Sequence, residues 1–169
     1  MYLSELLFEL SSVAPVVGVD EKYSVSYSQE PNSEQQAAVD EIVQDWPLRE
    51  AQLEQEEQIN GSVKAIEQEG YDTGKGYKID LSAKGAADLT GAVVLAKEAV
   101  AGGYEGDHYI LDSDGLTQEV SYEELIQIGL EYGTARNALY VLASQKTRAV
   151  RSAKTVNEVR AVEVDQWHR

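Results

Sequence analysis

The chain has 169 residues, 43% of them hydrophobic, which is enough for one domain of ordinary size or two very small ones. Fourteen Lys and Arg residues against thirty Asp and Glu residues give a net charge of −16, which argues against nucleic acid and membrane surfaces as partners because it repels phosphates and anionic headgroups. The chain has no cysteine, so disulfides, thiolate zinc sites and cysteine nucleophiles are excluded.

The first ten residues carry Glu5 and Glu9 and lack the basic start and long apolar run of a secretory signal. No stretch approaches the roughly eighteen apolar residues of a membrane span. We therefore expect the protein to stay in the cytoplasm in which it is made until it is assembled into a larger structure.

Residues 1–47 are predicted to form a small N-terminal α/β unit, a helix–hairpin–helix. Apolar residues recur at helical spacing from Leu3 to Val13. Two segments with strand character, 16–19 and 23–27, follow as a hairpin.

The second helix of this unit has a start and a stop signal. Asn32 and Gln35 form a capping pair, and Pro47 is predicted to end the helix after Trp46. Two short helices and two strands give the unit little core of its own, so we expect it to lean on a partner.

The second predicted domain, residues 48–169, begins with a connector helix over 48–69. A thin apolar stripe runs along this helix, and glutamates and glutamines fill the remaining positions. The pattern favours a connector, a helix packed against a partner chain, or an ordinary exposed helix of the second domain.

Gly70 ends the connector helix and opens a glycine-rich loop that leads into a strand over residues 77–81. A helix is predicted over 85–100. The Asp-Gly dipeptide at Gly115 then predicts a tight hairpin between strands 109–111 and 117–120.

Ser121 and Glu124 form a capping box that opens the longest predicted helix. Its apolar positions run from Leu125 to Ala153 at heptad spacing, which fits either a coiled coil or a core helix lying across a small sheet. Thr155 starts a last short helix. The fold class is α+β, with a three-stranded sheet packed on the long C-terminal helix of the larger domain.

Several short patterns resemble catalytic or metal sites without meeting their chemistry. The loop from Gly70 to Lys75 has three residues between its glycines, whereas a phosphate-binding loop needs four. Asp72 opens an Asp-Thr-Gly triplet, but the two-carboxylate chemistry of aspartic proteases needs a second copy.

The acidic residues Asp112, Asp114 and Glu123 have the spacing of a calcium loop, but the oxygen ligand and the glycine in its middle are replaced. His108 and His168 are sixty residues apart in the chain and fit no metal-binding spacing. We therefore predict no catalytic, cofactor-binding or metal-binding residues, and no cofactor.

Ten tyrosines and two tryptophans stand against a single phenylalanine. Tyr and Trp side chains bury a large apolar area and keep a polar group at the tip, which suits protein interfaces. Tyr is also common on the solvent-exposed face of a β-sheet. The interface residues are predicted among the exposed tyrosines or among four leucines of the first helix, namely Leu3, Leu6, Leu7 and Leu10.

Four motifs occur in order along the second half of the chain: Gly76-Tyr-Lys-Ile-Asp-Leu-Ser82, Leu89-Thr-Gly91, Tyr109-Ile-Leu-Asp112 and Ile126-Gln-Ile-Gly-Leu-Glu131. Through them, residues 48–167 resemble a domain of unknown function that is common in tailed-phage genomes, often encoded beside or within tail-fibre genes. The first half, with Pro15-Val-Val-Gly-Val19 and Ser33-Glu-Gln-Gln-Ala-Ala38, is similar to the short N-terminal units of small phage tail proteins.

The resemblance implies structural roles, including close packing at Gly91 and Gly129, and supplies no catalytic residue. It implies a non-enzymatic structural or adaptor protein of the virion tail, bound to tail-fibre or baseplate proteins as a homo- or hetero-oligomer. Two alternatives are a tail-fibre assembly chaperone that is absent from the virion and an enzyme that hydrolyses cell-envelope polymers.

Overall fold

The computed structural model describes residues 2–164 and Trp167. The chain is an α+β protein, as predicted, with about 63% helix and 13% strand. Its elements are, in chain order, α1 (Leu3–Val13), β1 (Val16–Val19), β2 (Val25–Tyr27), α2 (Ser33–Glu69), β3 (Tyr71–Asp72), β4 (Lys78–Ile79), α3 (Ala83–Ala101), β5 (Asp107–Leu111), β6 (Thr117–Ser121), α4 (Tyr122–Ser152) and α5 (Val156–Arg160).

The strands form three separate two-stranded antiparallel sheets, β1–β2, β3–β4 and β5–β6, so the predicted three-stranded sheet is wrong. The partner of β4 is β3, a segment that was predicted as loop. Gly74 and Gly76, with φ angles of +70° and +89°, turn the chain tightly between these two strands. Between β4 and the β5–β6 hairpin there is a single backbone hydrogen bond within the described residues, in which Ser113 N–H donates to the Lys78 carbonyl at 2.8 Å.

Helix α2 runs through Pro47, so the prediction that the helix ends there is wrong and the predicted boundary at residue 47 falls inside a helix. Proline in a helix interior costs about 3 kcal/mol. Burial on both sides offsets this cost, because Trp46 before the proline and Ala51 after it are both buried. Pro47 itself is exposed, so its ring does not disturb the packed face.

The start of α2 is as predicted. Asn32 and Gln35 cap the helix reciprocally, with Gln35 N–H donating to Asn32 Oδ1 at 2.9 Å and Asn32 N–H donating to Gln35 Oε1 at 3.0 Å. The capping residues Ser121 and Thr155 likewise accept hydrogen bonds from Glu124 N–H and Glu158 N–H, each at 3.2 Å.

The first compact unit joins the residues up to Glu57 with Arg148–Glu163. Two amides of α2 hold the second segment in place: Gln55 Nε2 donates to the Val162 carbonyl at 2.6 Å, and Gln52 Nε2 donates to the Val150 carbonyl at 3.2 Å. The N-terminal elements are therefore completed by the chain's own C-terminal segment. Their core cluster consists of Leu6, Leu10, Ala14, Val16, Val39 and Trp46.

The second compact unit contains Gln58–Thr147. Gly129 of α4 permits close packing, as predicted, because an added Cβ would lie 2.5 Å from Val93 Cγ2 of α3. The same prediction is wrong for Gly91, where an added Cβ would meet nothing within 4 Å. The core cluster of this unit consists of Ile79, Leu81, Leu89, Ala92, Ala96, Ile110, Val120, Leu125, Ile128 and Tyr132.

Helix α4 buries the predicted stripe over its first half, which fits a core helix. Towards its end the buried residue is Val150 and not Ala149, which is exposed. Ala153, the last position of the predicted pattern, is buried just beyond the end of α4. No helix in the described part of the chain combines the length and the apolar character needed to cross a bilayer.

Candidate functional site

The β5–β6 hairpin is built by its turn, as the Asp-Gly dipeptide predicts. Asp112 Oδ1 accepts hydrogen bonds from Leu116 N–H at 2.8 Å and from Asp114 N–H at 3.0 Å, and Gly115 takes a φ of +77°. These donors hold the pKa of the Asp112 carboxyl below its ordinary value, and Leu116 N–H makes the largest contribution. The carboxylate therefore stays charged while it shapes the turn.

The two faces of the hairpin differ in character. Ile110 and Val120 point into the core of the second unit and are buried. Tyr109 and Leu111, on the opposite face of β5, are 62% and 67% exposed. Successive strand residues point to opposite faces, so the same alternation that anchors the hairpin presents two large side chains to solvent.

The outer edge of β5 is open. Asp112 N–H donates to the Leu116 carbonyl at 2.9 Å, which makes these two residues a hydrogen-bonded pair. Hydrogen-bonded and non-hydrogen-bonded pairs alternate along an antiparallel ladder, so the N–H and C=O groups of Tyr109 and Leu111 point away from β6. Among the described residues no third strand pairs with this edge.

A groove of about 650 Å³ runs along this edge, between β5 and α3. The end of β4 and the hairpin turn supply further lining, whereas β6 supplies none, which places the groove on the side of β5 opposite β6. Gly91 lies on the α3 wall with open space where a side chain would be. Leu95, one helical turn further on, is 56% exposed.

The groove is acidic. Its charged lining consists of three carboxylates against one lysine: Asp80, Asp88, Asp112 and Lys84. Asp80 accepts hydrogen bonds from Ser82 N–H at 2.8 Å and Ser82 Oγ at 2.6 Å, which tie it to the start of α3. The carboxylate of Asp88 is exposed and forms no hydrogen bond or ion pair with the described part of the chain. It is therefore available to a partner.

The second unit has two other concave surfaces. A cavity of about 510 Å³ is lined by apolar residues that include Leu139 and by Trp167, which belongs to the same chain. A groove of about 380 Å³ between α3 and α4 contains Arg136. The guanidinium of Arg136 donates to the Leu81 carbonyl at 3.1 Å and to Tyr140 Oη at 3.2 Å. The groove beside β5 also borders the outward backbone groups of Tyr109 and Leu111.

Two of the four leucines that were predicted as interface residues belong to the core instead. Leu6 and Leu10 are both 0% exposed within the first unit, so this prediction is wrong for them. Leu3 and Leu7 are half-buried. The large apolar side chain that α1 does expose is Phe8, at 81%.

Among the tyrosines, from which interface residues were predicted, Tyr104 and Tyr109 are largely exposed. Several tyrosine hydroxyls donate to carboxylates of the same chain, and Tyr109 Oη donates to Glu119 Oε1 at 3.0 Å. Tyr23 Oη donates to Glu50 Oε2 at 2.6 Å, and this bond, together with burial, raises the pKa of Tyr23 to about 12. The same pattern occurs in the pairs Tyr2–Glu57, Tyr71–Glu131 and Tyr140–Glu67.

The patterns that resembled catalytic sites have structural explanations. Asp72 Oδ1 accepts from Gly74 N–H at 2.8 Å and so shapes the turn between β3 and β4. Residues 2–164 and Trp167 contain no group of three or more His, Cys, Asp or Glu side chains that could hold a metal ion. His108 lies on β5 and lines the groove, and His168 lies outside the described residues.

The groove itself was not predicted from the sequence. The sequence did predict the β5 strand and the hairpin that border it. It gave no local signal that Asp88 and Gly91 lie opposite an open strand edge. No family model, curated protein or solved structure matches the chain.

Proposed function

We propose that this chain is a non-enzymatic structural or adaptor protein of a bacteriophage tail, which binds tail-fibre or baseplate proteins. The observation that supports protein binding is the open edge of β5 beside an acidic groove. Unpaired strand edges recruit further strands unless they are covered or blocked, and peptide-binding proteins use them in this way.

The side chains around the edge support binding more than hydrolysis. Tyr109 and Leu111 offer exposed aromatic and aliphatic area, which suits the centre of a protein interface. The carboxylates of Asp80 and Asp112 accept hydrogen bonds from their own turns, so their oxygens serve the fold. The location in a phage tail rests on the four ordered motifs of the second half and the resemblance they carry.

The proposal is tested by mixing the purified chain with the tail-fibre and baseplate proteins of the same genome and measuring mass by size-exclusion chromatography with light scattering. We expect a stable complex. Tyr109→Ala should weaken it strongly, because the substitution removes exposed aromatic area from the binding face. Phe8→Ala is the matched control, since it removes an aromatic side chain of the other unit that is even more exposed, at 81% against 62%.

Mass spectrometry of purified phage particles separates the two tail roles. A structural or adaptor protein is present in finished tails. A complex in solution together with absence from the particles identifies the assembly chaperone instead. If the chain binds no tail protein and is missing from the particles, the proposal is refuted.

A further inference from the structure

The edge of β5 has the geometry of a template for one more strand. The N–H and C=O groups of Tyr109 and Leu111 point away from β6, towards the groove. The five residues of β5 span about 17 Å at roughly 3.4 Å per residue, so the edge accommodates an extended segment of about five residues.

The opposite wall of the groove leaves space for the side chains of such a segment. At Gly91 an added Cβ would meet nothing within 4 Å, so the α3 wall is recessed at this point. Leu95 on α3 and Leu111 on β5 are both more than half exposed and offer apolar contacts. An extended segment would place every second side chain against these surfaces.

The charge of the groove selects the kind of occupant. Three carboxylates against one lysine favour a segment with Lys or Arg side chains, and Asp88 lacks a partner within the described chain. A second copy of this chain would bring a further net charge of −16 and is disfavoured by repulsion. We infer that the groove binds an extended basic segment of a partner protein, which adds to β5 as a third strand; this inference rests on the proposed protein-binding function.

The test uses the full chain and a fluorescein-labelled six-residue peptide that alternates Lys with Val, and fluorescence anisotropy measures binding. The same peptide with Glu in place of Lys should bind at least about tenfold more weakly. Two further peptides carry N-methyl groups on the backbone of either the Lys or the Val residues. Strand addition uses one of these two sets of N–H groups, so one of the two peptides should lose at least about tenfold in affinity.

Two pairs of variants locate the site. Gly91→Leu should weaken binding of the Lys–Val peptide at least about tenfold by filling the groove, whereas Gly61→Leu, at another exposed helical glycine with open space, should not. Tyr109→Pro removes an outward N–H group without removing a backbone hydrogen bond between β5 and β6. Glu119→Pro is its matched control on the opposite edge of the hairpin. The side-chain bond from Tyr109 Oη to Glu119 Oε1 is lost in this variant and in its control alike. Circular dichroism verifies the fold of each variant.

Equal binding of both N-methylated peptides and the parent peptide would overturn the inference, because charge alone would then account for the affinity. Unchanged binding by Gly91→Leu would also overturn it. Loss of the tail-protein complex in Tyr109→Ala, together with no binding of the peptide by the unsubstituted chain, would refute strand addition and leave the proposed function standing. Peptide binding that meets these criteria, in a chain that binds no tail protein, would refute the proposed partners and support the groove's specificity.

Discussion

Two glycines one turn apart in α4 should respond in opposite ways to the same substitution. Gly133→Ala should stabilise the protein by about 0.5–1 kcal/mol, because alanine loses less conformational entropy in a helix and an added Cβ meets nothing within 4 Å. Gly129→Ala gains the same helical preference but places its Cβ 2.5 Å from Val93 Cγ2. Val93 cannot yield easily, since a β-branched side chain in a helix has one strongly preferred rotamer.

The overlap sets the expected magnitude. Overpacking of this kind costs about 1–3 kcal/mol, so Gly129→Ala should be neutral to destabilising by about 2 kcal/mol after the helical gain. The free energies of unfolding of the two variants should therefore differ by about 1–3 kcal/mol. Urea unfolding followed by circular dichroism measures this difference, and for a chain of this size each kcal/mol corresponds to about 2–4 °C in melting temperature.

A double variant isolates the contact. Val93→Ala removes both γ-methyl groups, so in that background Gly129→Ala should stabilise the protein as Gly133→Ala does. If Gly129→Ala raises the free energy of unfolding in the native background by as much as Gly133→Ala, α3 and α4 do not approach as closely as this contact implies, and the reasoning fails.

Three further predictions concern single hydrogen bonds. Gln55→Glu should destabilise the first unit by about 2–3 kcal/mol in urea unfolding, because a buried carboxylate cannot donate to the Val162 carbonyl. If Gln55→Ala loses as much stability, the buried charge has no specific role. The raised pKa of Tyr23 contributes stability that is complete below pH 10.0 and is lost as the pH rises towards about 12. Tyr23→Phe should flatten that decline in an alkaline series of melting temperatures, and an unchanged decline would contradict the role of the bond to Glu50. Asn32→Ala should lower the free energy of unfolding by about 1 kcal/mol because the helix cap is lost, and Asn32→Asp should lower it much less. Thermal unfolding measures both, and equal losses of stability would exclude capping as the cause.

The features that the sequence predicted correctly are those decided within a few residues. The caps at Asn32, Ser121 and Thr155 act on N–H groups three residues away, and the carboxylate of Asp112 satisfies donors inside its own turn. Such bonds form whatever the rest of the chain does, so a local pattern is sufficient to predict them.

The failures arise where distant packing outweighs a local preference. Pro47 would end an isolated helix, but buried residues on both sides keep α2 continuous. Gln55 looked like one more solvated residue of a charged helix, yet its amide bonds a carbonyl 107 positions away. The groove beside β5 depends on the placement of α3 opposite a strand edge, which no spacing along the chain encodes.

The same distinction applies to the predicted boundary at residue 47, which lies inside α2. A boundary that is read from proline and composition assumes that each domain is one continuous segment. Here Arg148–Glu163 belongs with the residues up to Glu57, and α2 and α4 each contribute residues to both units. Val150 and Val159 are fully buried, so this C-terminal segment supplies apolar area that the first 57 residues lack. The C-terminal segment therefore provides support that the small N-terminal unit was expected to take from a partner, and the open edge of β5 in the second unit is where the proposed strand addition would occur.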